Sequence, residues 1–103
     1  MTSAAPLLAL ALAAGPYPAP RVVQPTPATK CDRVTVVVAD AAKGEIKGTT
    51  AAGAVTYRAG PDVQLVDRDG KPAGAASSLA QGTKVRIYYV LEDGARIQEI
   101  DLE

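Results

Sequence analysis

The stretch Thr83-Lys84-Val85-Arg86-Ile87-Tyr88-Tyr89-Val90-Leu91-Glu92-Asp93-Gly94-Ala95-Arg96-Ile97-Gln98-Glu99-Ile100-Asp101-Leu102 decides the fold. From Thr83 to Leu91 the side chains alternate: Val85, Ile87, Tyr89 and Leu91 fall on one face, Lys84, Arg86, Tyr88 and Val90 on the other. That period of two is the mark of a strand with one face turned inward. Glu92-Asp93-Gly94 supplies the hairpin turn, because Asp-Gly readily takes positive φ. The returning strand, Ala95 to Leu102, has apolar residues at 97, 100 and 102. The odd step from 97 to 100 cannot keep all three inside a regular strand. A bulge near Gln98-Glu99 restores the register, as where a sheet curls into a barrel.

Upstream the same texture continues. Val34 to Val38 reads as a strand, and Asp40-Ala41-Ala42-Lys43-Gly44 as a turn. Glu45–Thr49, Ala54–Arg58 and Asp62–Val66 read as further strands, with a second turn at Asp67-Arg68-Asp69-Gly70-Lys71. Residues 75–81 have room for one helical turn capped by Ser77 or Ser78. Short strands at this spacing predict an all-β fold: a small five- or six-stranded antiparallel barrel, OB-like or SH3-like. Both strand orders produce the same succession of hairpins.

The N-terminal third differs. Residues 1–14 contain Leu7-Leu8-Ala9-Leu10-Ala11-Leu12-Ala13-Ala14, too short to span a bilayer and followed by small residues, as in a signal peptide. No Lys or Arg precedes that run. Residues 15–32 hold Pro16, Pro18, Pro20, Pro25 and Pro27 and read as a proline-rich linker. The barrel is expected over 33–103. Such a domain, about 70 residues long, buries only about 60% of its unfolded surface. The expected location is periplasmic or secreted, with no membrane span.

Composition limits the chemistry. The chain has 103 residues, 11 basic and 11 acidic, with no His, Phe or Trp. Zero net charge argues against nucleic acid as a partner. Without His there is no Ser-His or Cys-His pair and no catalytic residue to name. Asp67-Arg68-Asp69-Gly70 is no EF-hand: with Gly70 at loop position six, Leu65 and Ala76 stand where carboxylates are required. No metal and no cofactor are expected. Cys31 is the single cysteine. The linker separates it from the apolar run, against lipid attachment, and in an oxidising compartment it could bridge to a second chain as a disulfide-linked dimer. Tyr57, Arg58, Lys84, Arg86 and Tyr88 are the candidate ligand-binding constellation, since aromatic and basic side chains on an OB sheet face can stack on bases or sugars.

The hairpin run Val36-x-x-Ala39-Asp40-Ala41-Ala42-Lys43-Gly44-x-Ile46, with Val55-x-Tyr57, Asp67-x-Asp69-Gly70-Lys71, Leu79-x-x-Gly82-x-Lys84-Val85 and Tyr89-x-x-Glu92-Asp93-Gly94, resembles the small exported bacterial β-barrels grouped under DUF5666. The resemblance spans about residues 33–102 and implies an exported barrel of no established role. It departs at Arg33, where Gly usually begins the first strand, and at Thr83, where Asp usually follows Gly82. The layout is also similar to small copper-carrying OB barrels, which bind Cu(I) through His, Met and Trp. This chain has only Met1 of those residue types. The function read from the sequence is therefore a non-enzymatic, exported binding or structural module whose partner is another envelope protein. The alternative is an OB-like domain binding an oligonucleotide or saccharide.

Overall fold

The structure, a computed structural model, describes residues 18–103; the expected signal peptide and the first linker residues lie outside that range. Seven strands follow in order: β1 (Lys30–Asp40), β2 (Glu45–Thr50), β3 (Gly53–Arg58), β4 (Gln64–Val66), β5 (Pro72–Ala75), β6 (Lys84–Leu91) and β7 (Ala95–Leu102). A single 3-10 turn, Ala76–Ser78, stands between β5 and β6.

Five strands close into a barrel. β1 lies between β2 and β6, β2 pairs with β3, and β6 pairs with β7, all antiparallel. A parallel contact between Arg58 of β3 and Arg96 of β7 completes the ring. This order, with the third and last barrel strands parallel, makes the domain an OB-like barrel and decides between the two orders the hairpins allowed. The β4–β5 ribbon joins from outside, with β4 running parallel to the end of β7 at Leu65/Ile100 and Val66/Asp101.

The barrel is filled by aliphatic side chains from four strands of the ring, Val34, Val36, Ile46, Val85, Ile87, Ile97 and Ile100, all buried, and by Tyr57 from β3. Chains without Phe or Trp still need large groups inside, and the tyrosines provide them. Tyr57 and Tyr89 meet edge to face, their centroids 5.3 Å apart. The Tyr57 hydroxyl donates to Asp32 at 2.6 Å, so its polar end is satisfied.

The expected bulge is at Gln98. Tyr88 pairs with Glu99 and Tyr89 with Ile97, leaving Gln98 unopposed. Ile97 and Ile100 both reach the core as a result. A second bulge at Val37 puts Val37 and Val38 both outside, 47% and 44% exposed.

Four expectations need correction. β1 begins at Lys30, so Lys30, Cys31 and Asp32 are strand and not linker. β5 has no apolar alternation and gave no strand signal; its four residues are all exposed. Neither serine caps the 3-10 turn: Ala75 holds the cap position with no side-chain bond, and the Ser78 hydroxyl donates back to the Ala75 carbonyl at 2.6 Å. Leu91 falls beyond the barrel and is 66% exposed.

Gly48 on β2 is buried opposite Val36, where the strands approach closely. A Cβ there would lie 2.7 Å from the Thr35 carbonyl oxygen and collide with the Val34 side chain. Backbone cannot move aside as a flexible side chain can. Gly48→Ala is expected to cost about 1–3 kcal/mol, read as a lower urea midpoint; an unchanged midpoint would show that the β1–β2 contact is looser than described.

Candidate functional site

The outer face of β1, β6 and β7 carries Cys31, Arg86, Tyr88, Glu99 and Asp101. The pairings Cys31/Tyr88, Arg86/Asp101 and Tyr88/Glu99 put these side chains next to one another. An outward face of such polarity would ordinarily be wet. Here Tyr88 is 2%, Glu99 2% and Asp101 0% exposed.

The cover is the proline-rich segment itself. Pro20 and Pro25 have no N–H, and the residues between them include three consecutive free amides. All three converge on one carboxylate: Glu99 Oε2 accepts from Arg21 N at 2.7 Å, and Oε1 from Val22 N at 3.0 Å and Val23 N at 2.6 Å. Successive amides turned toward one anion form a backbone nest. The Tyr88 hydroxyl donates to the Pro18 carbonyl at 2.8 Å, Arg21 Nη1 to the Leu102 carbonyl at 3.0 Å, and the Thr29 hydroxyl to the Gln98 side chain at 3.0 Å. Residues 18–29 are thus tied to the barrel at Pro18, at Arg21, Val22 and Val23, and again at Thr29, and are no free spacer.

Two carboxylates share this covered face and behave oppositely. Burial acts to raise the Glu99 carboxyl, but the hydrogen bond with Asp101 and the amides of Val23, Arg21 and Val22 outweigh it and hold Glu99 below its ordinary value. Asp101 is pushed up to about 7, first by burial, then by its hydrogen bond with Glu99 and that residue's charge. Arg21 and Arg86 oppose the rise from 4.0 and 3.9 Å. Cys31, half-buried beside Tyr88, is raised to about 11, chiefly by burial.

The five residues singled out from the sequence do not form one surface. Tyr57 lies inside the barrel at 2% exposure, and Tyr88 lies outside it beneath the N-terminal segment. Arg86 has a side chain only 14% exposed and faces Asp101. Lys84 is exposed on β6. Arg58 is on another side, donating to the Glu92 carbonyl at 3.0 Å and 3.7 Å from Asp93. Glu99 and Asp101, which organise the covered face, were not singled out. The one signal for them was the run Arg21-Val22-Val23 between prolines, which does not say where its amides go.

A separate cleft of about 320 Å³ opens at the end of the barrel beside the β1–β2 turn. Ala39, Ile46, Ala59, Val63 and Ala76 give it a small-residue apolar lining, and Asp40 and Glu45 add carboxylates. The turn is fixed by the Lys43 amide donating to Asp40 Oδ1 at 3.2 Å and by Gly44 at φ 63°. In the other Asp-rich turn, Asp67 Oδ1 accepts from the amides of Asp69 and Lys71, both at 2.9 Å. That carboxylate is used within its own turn, and the Lys71 amide is the largest cause of its lowered pKa.

No protein-family model and no curated protein matches the chain. Among solved structures it is similar to CusF with Cu(II) from Escherichia coli, with a TM-score of 0.54 and 16% identity over 79% of this chain and 99% of that one. At that identity the likeness establishes the barrel fold.

The covered face predicts a sluggish thiol. With Cys31 raised to about 11 in place of the ordinary 9.0, iodoacetamide at pH 6 should alkylate the folded chain about a hundredfold more slowly than the urea-unfolded chain. Equal rates would contradict the burial of Cys31.

Proposed function

We propose that this chain is a non-enzymatic binding module, exported to the periplasm or beyond, whose cleft takes a short segment of another envelope protein. The cleft carries this reading. Its size suits one or two side chains, its lining is mostly small and apolar, and Asp40 and Glu45 add negative charge. An apolar stem ending in a cation, as in a lysine or arginine of an exposed peptide, matches that combination.

Three further observations support it. The chain has no His, so the commonest general base and transition-metal ligand are missing from every position. The copper named with CusF is not carried over: Met1 is the only residue here of the His, Met and Trp types expected of copper-carrying barrels. No helix among the described residues is long and apolar enough to cross a membrane. Export rests on the apolar N-terminal run and on the resemblance to the DUF5666 barrels.

The oligonucleotide or saccharide reading has Arg86 and Tyr88 beneath the N-terminal segment and Tyr57 within the barrel. It therefore depends on that segment moving. A Cys31-linked dimer likewise needs the half-buried thiol to emerge.

The test is affinity capture from a cell-envelope extract with the chain carrying Cys31→Ser, against the same chain also carrying Ala41→Trp. Ala41 lines the cleft and is itself exposed, so the indole crowds the cleft without disturbing the core. A stoichiometric protein retained by the first and reduced about tenfold by the second, a change of about 1.4 kcal/mol, is expected. Undiminished capture, or nucleic acid or glycan in place of protein, would overturn the cleft reading.

A further inference from the structure

Beneath the N-terminal segment, Asp101 is fully buried, and as a carboxylate neither of its oxygens has a hydrogen-bond donor. The two nearby guanidiniums stand 4.0 and 3.9 Å away, beyond hydrogen-bond range. Arg21 spends its Nη1 on the Leu102 carbonyl, and Arg86 Nε is buried without a partner. An unmet buried carboxylate is costly. A proton removes the difficulty, because a neutral Asp101 donates to Glu99. Glu99 in turn must stay ionised to hold three amides. One proton on the pair therefore satisfies both residues, and a second charge leaves Asp101 without a donor beside a like charge.

We infer that Pro18–Val23 form a releasable cover over the outer face of β1, β6 and β7, held while Asp101 is protonated and freed when Asp101 ionises. Every contact that fixes the cover to this face runs through or beside the pair: the Glu99 nest, the Arg21 side chain and the Tyr88–Pro18 bond. The groups around Asp101 are Glu99 on its own strand, Arg86 and Tyr88 on β6, Cys31 on β1 and Arg21 on the cover, with Arg33 of β1 next in the row beyond Arg86 and paired with Glu103 at 3.2 Å. Its β4 neighbour across the ladder, Val66, carries no charge. Release uncovers Arg86, Tyr88 and Cys31 together with the carboxylates of Glu99 and Asp101, a mixed polar and aromatic patch on which Tyr88 can stack against a planar ligand.

The direction of the pH dependence follows from linkage. Asp101 is raised from 3.8 to about 7 in the covered state. Its contribution to closure is complete below its ordinary value and is lost as pH rises through about 7. Glu99 is depressed, so its contribution is present above its ordinary value and is lost only in stronger acid. The cover is accordingly tightest in mild acid and loosens toward neutrality.

Hydrogen exchange on the full chain, followed by NMR, tests this. Protection factors, already corrected for the intrinsic pH dependence of exchange, should fall for the Val22 and Val23 amides by about tenfold per pH unit between about pH 5 and 7. Those of Ile87 and Ile97 in the barrel should not change. In Asp101→Asn, which keeps a neutral donor beside Glu99, Val22 and Val23 should stay protected throughout. Wild-type protection of Val22 and Val23 that is equal at pH 5 and 8, or absent at both, would overturn the inference. So would a parallel fall in Asp101→Asn. The wild-type series decides by itself if that variant does not fold.

Discussion

The structure turns on one unpaired residue. By inserting Gln98 into β7, the chain lets Ile97 and Ile100 both face the core although their spacing is odd. A strand of strict period two would send one of them to solvent and bring a charge inside. The same bulge sets the phase of everything that follows. It turns Glu99 and Asp101 to the outer face next to Tyr88 and Arg86, and there the N-terminal segment finds its anchor. The barrel's closure and the covered site thus share a single geometric cause.

The covered face also shows how a proline-rich segment can be ordered with few apolar contacts. Prolines remove donors and stiffen the chain, which lowers the entropy lost on docking. The donors that remain are concentrated at Arg21, Val22 and Val23, and one buried carboxylate collects them all. Charge-assisted bonds of this kind are among the stronger ones available. Their consequence is a second carboxylate, Asp101, shut beneath the same cover without a donor of its own. Stability at one residue and strain at its neighbour are two sides of the same packing.

Much of the barrel was legible from the sequence. The alternation gave the inward face of β6 at Val85, Ile87 and Tyr89, though not at Leu91, the Asp-Gly pair gave the last hairpin, and the 97-to-100 step located the bulge. These are local signals that the fold does not override. What was hidden depends on long-range partners. β5 has no apolar rhythm and exists because β4 offers it an edge. Tyr57 carries a polar tip, and only the position of Asp32 shows that this tip is satisfied inside. The burial of Tyr88, Glu99 and Asp101 requires the N-terminal segment to fold back across a separation of 70 residues or more, which no local pattern announces. The cleft, likewise, is assembled from the β1–β2 turn, the loop after β3 and the 3-10 turn, which meet only in three dimensions.

The central claim is that an ionised Glu99, cradled by three backbone amides, fixes the N-terminal segment to the barrel. Side-chain carboxyl 13C NMR measures it directly by titrating Glu99 in the intact chain. A Glu99 midpoint below the ordinary 4.5 is predicted, with Asp101, coupled to it, raised to about 7. A Glu99 midpoint at or above 4.5 would mean that the amides are not bound to it, and the covered face would have to be redrawn as an open one.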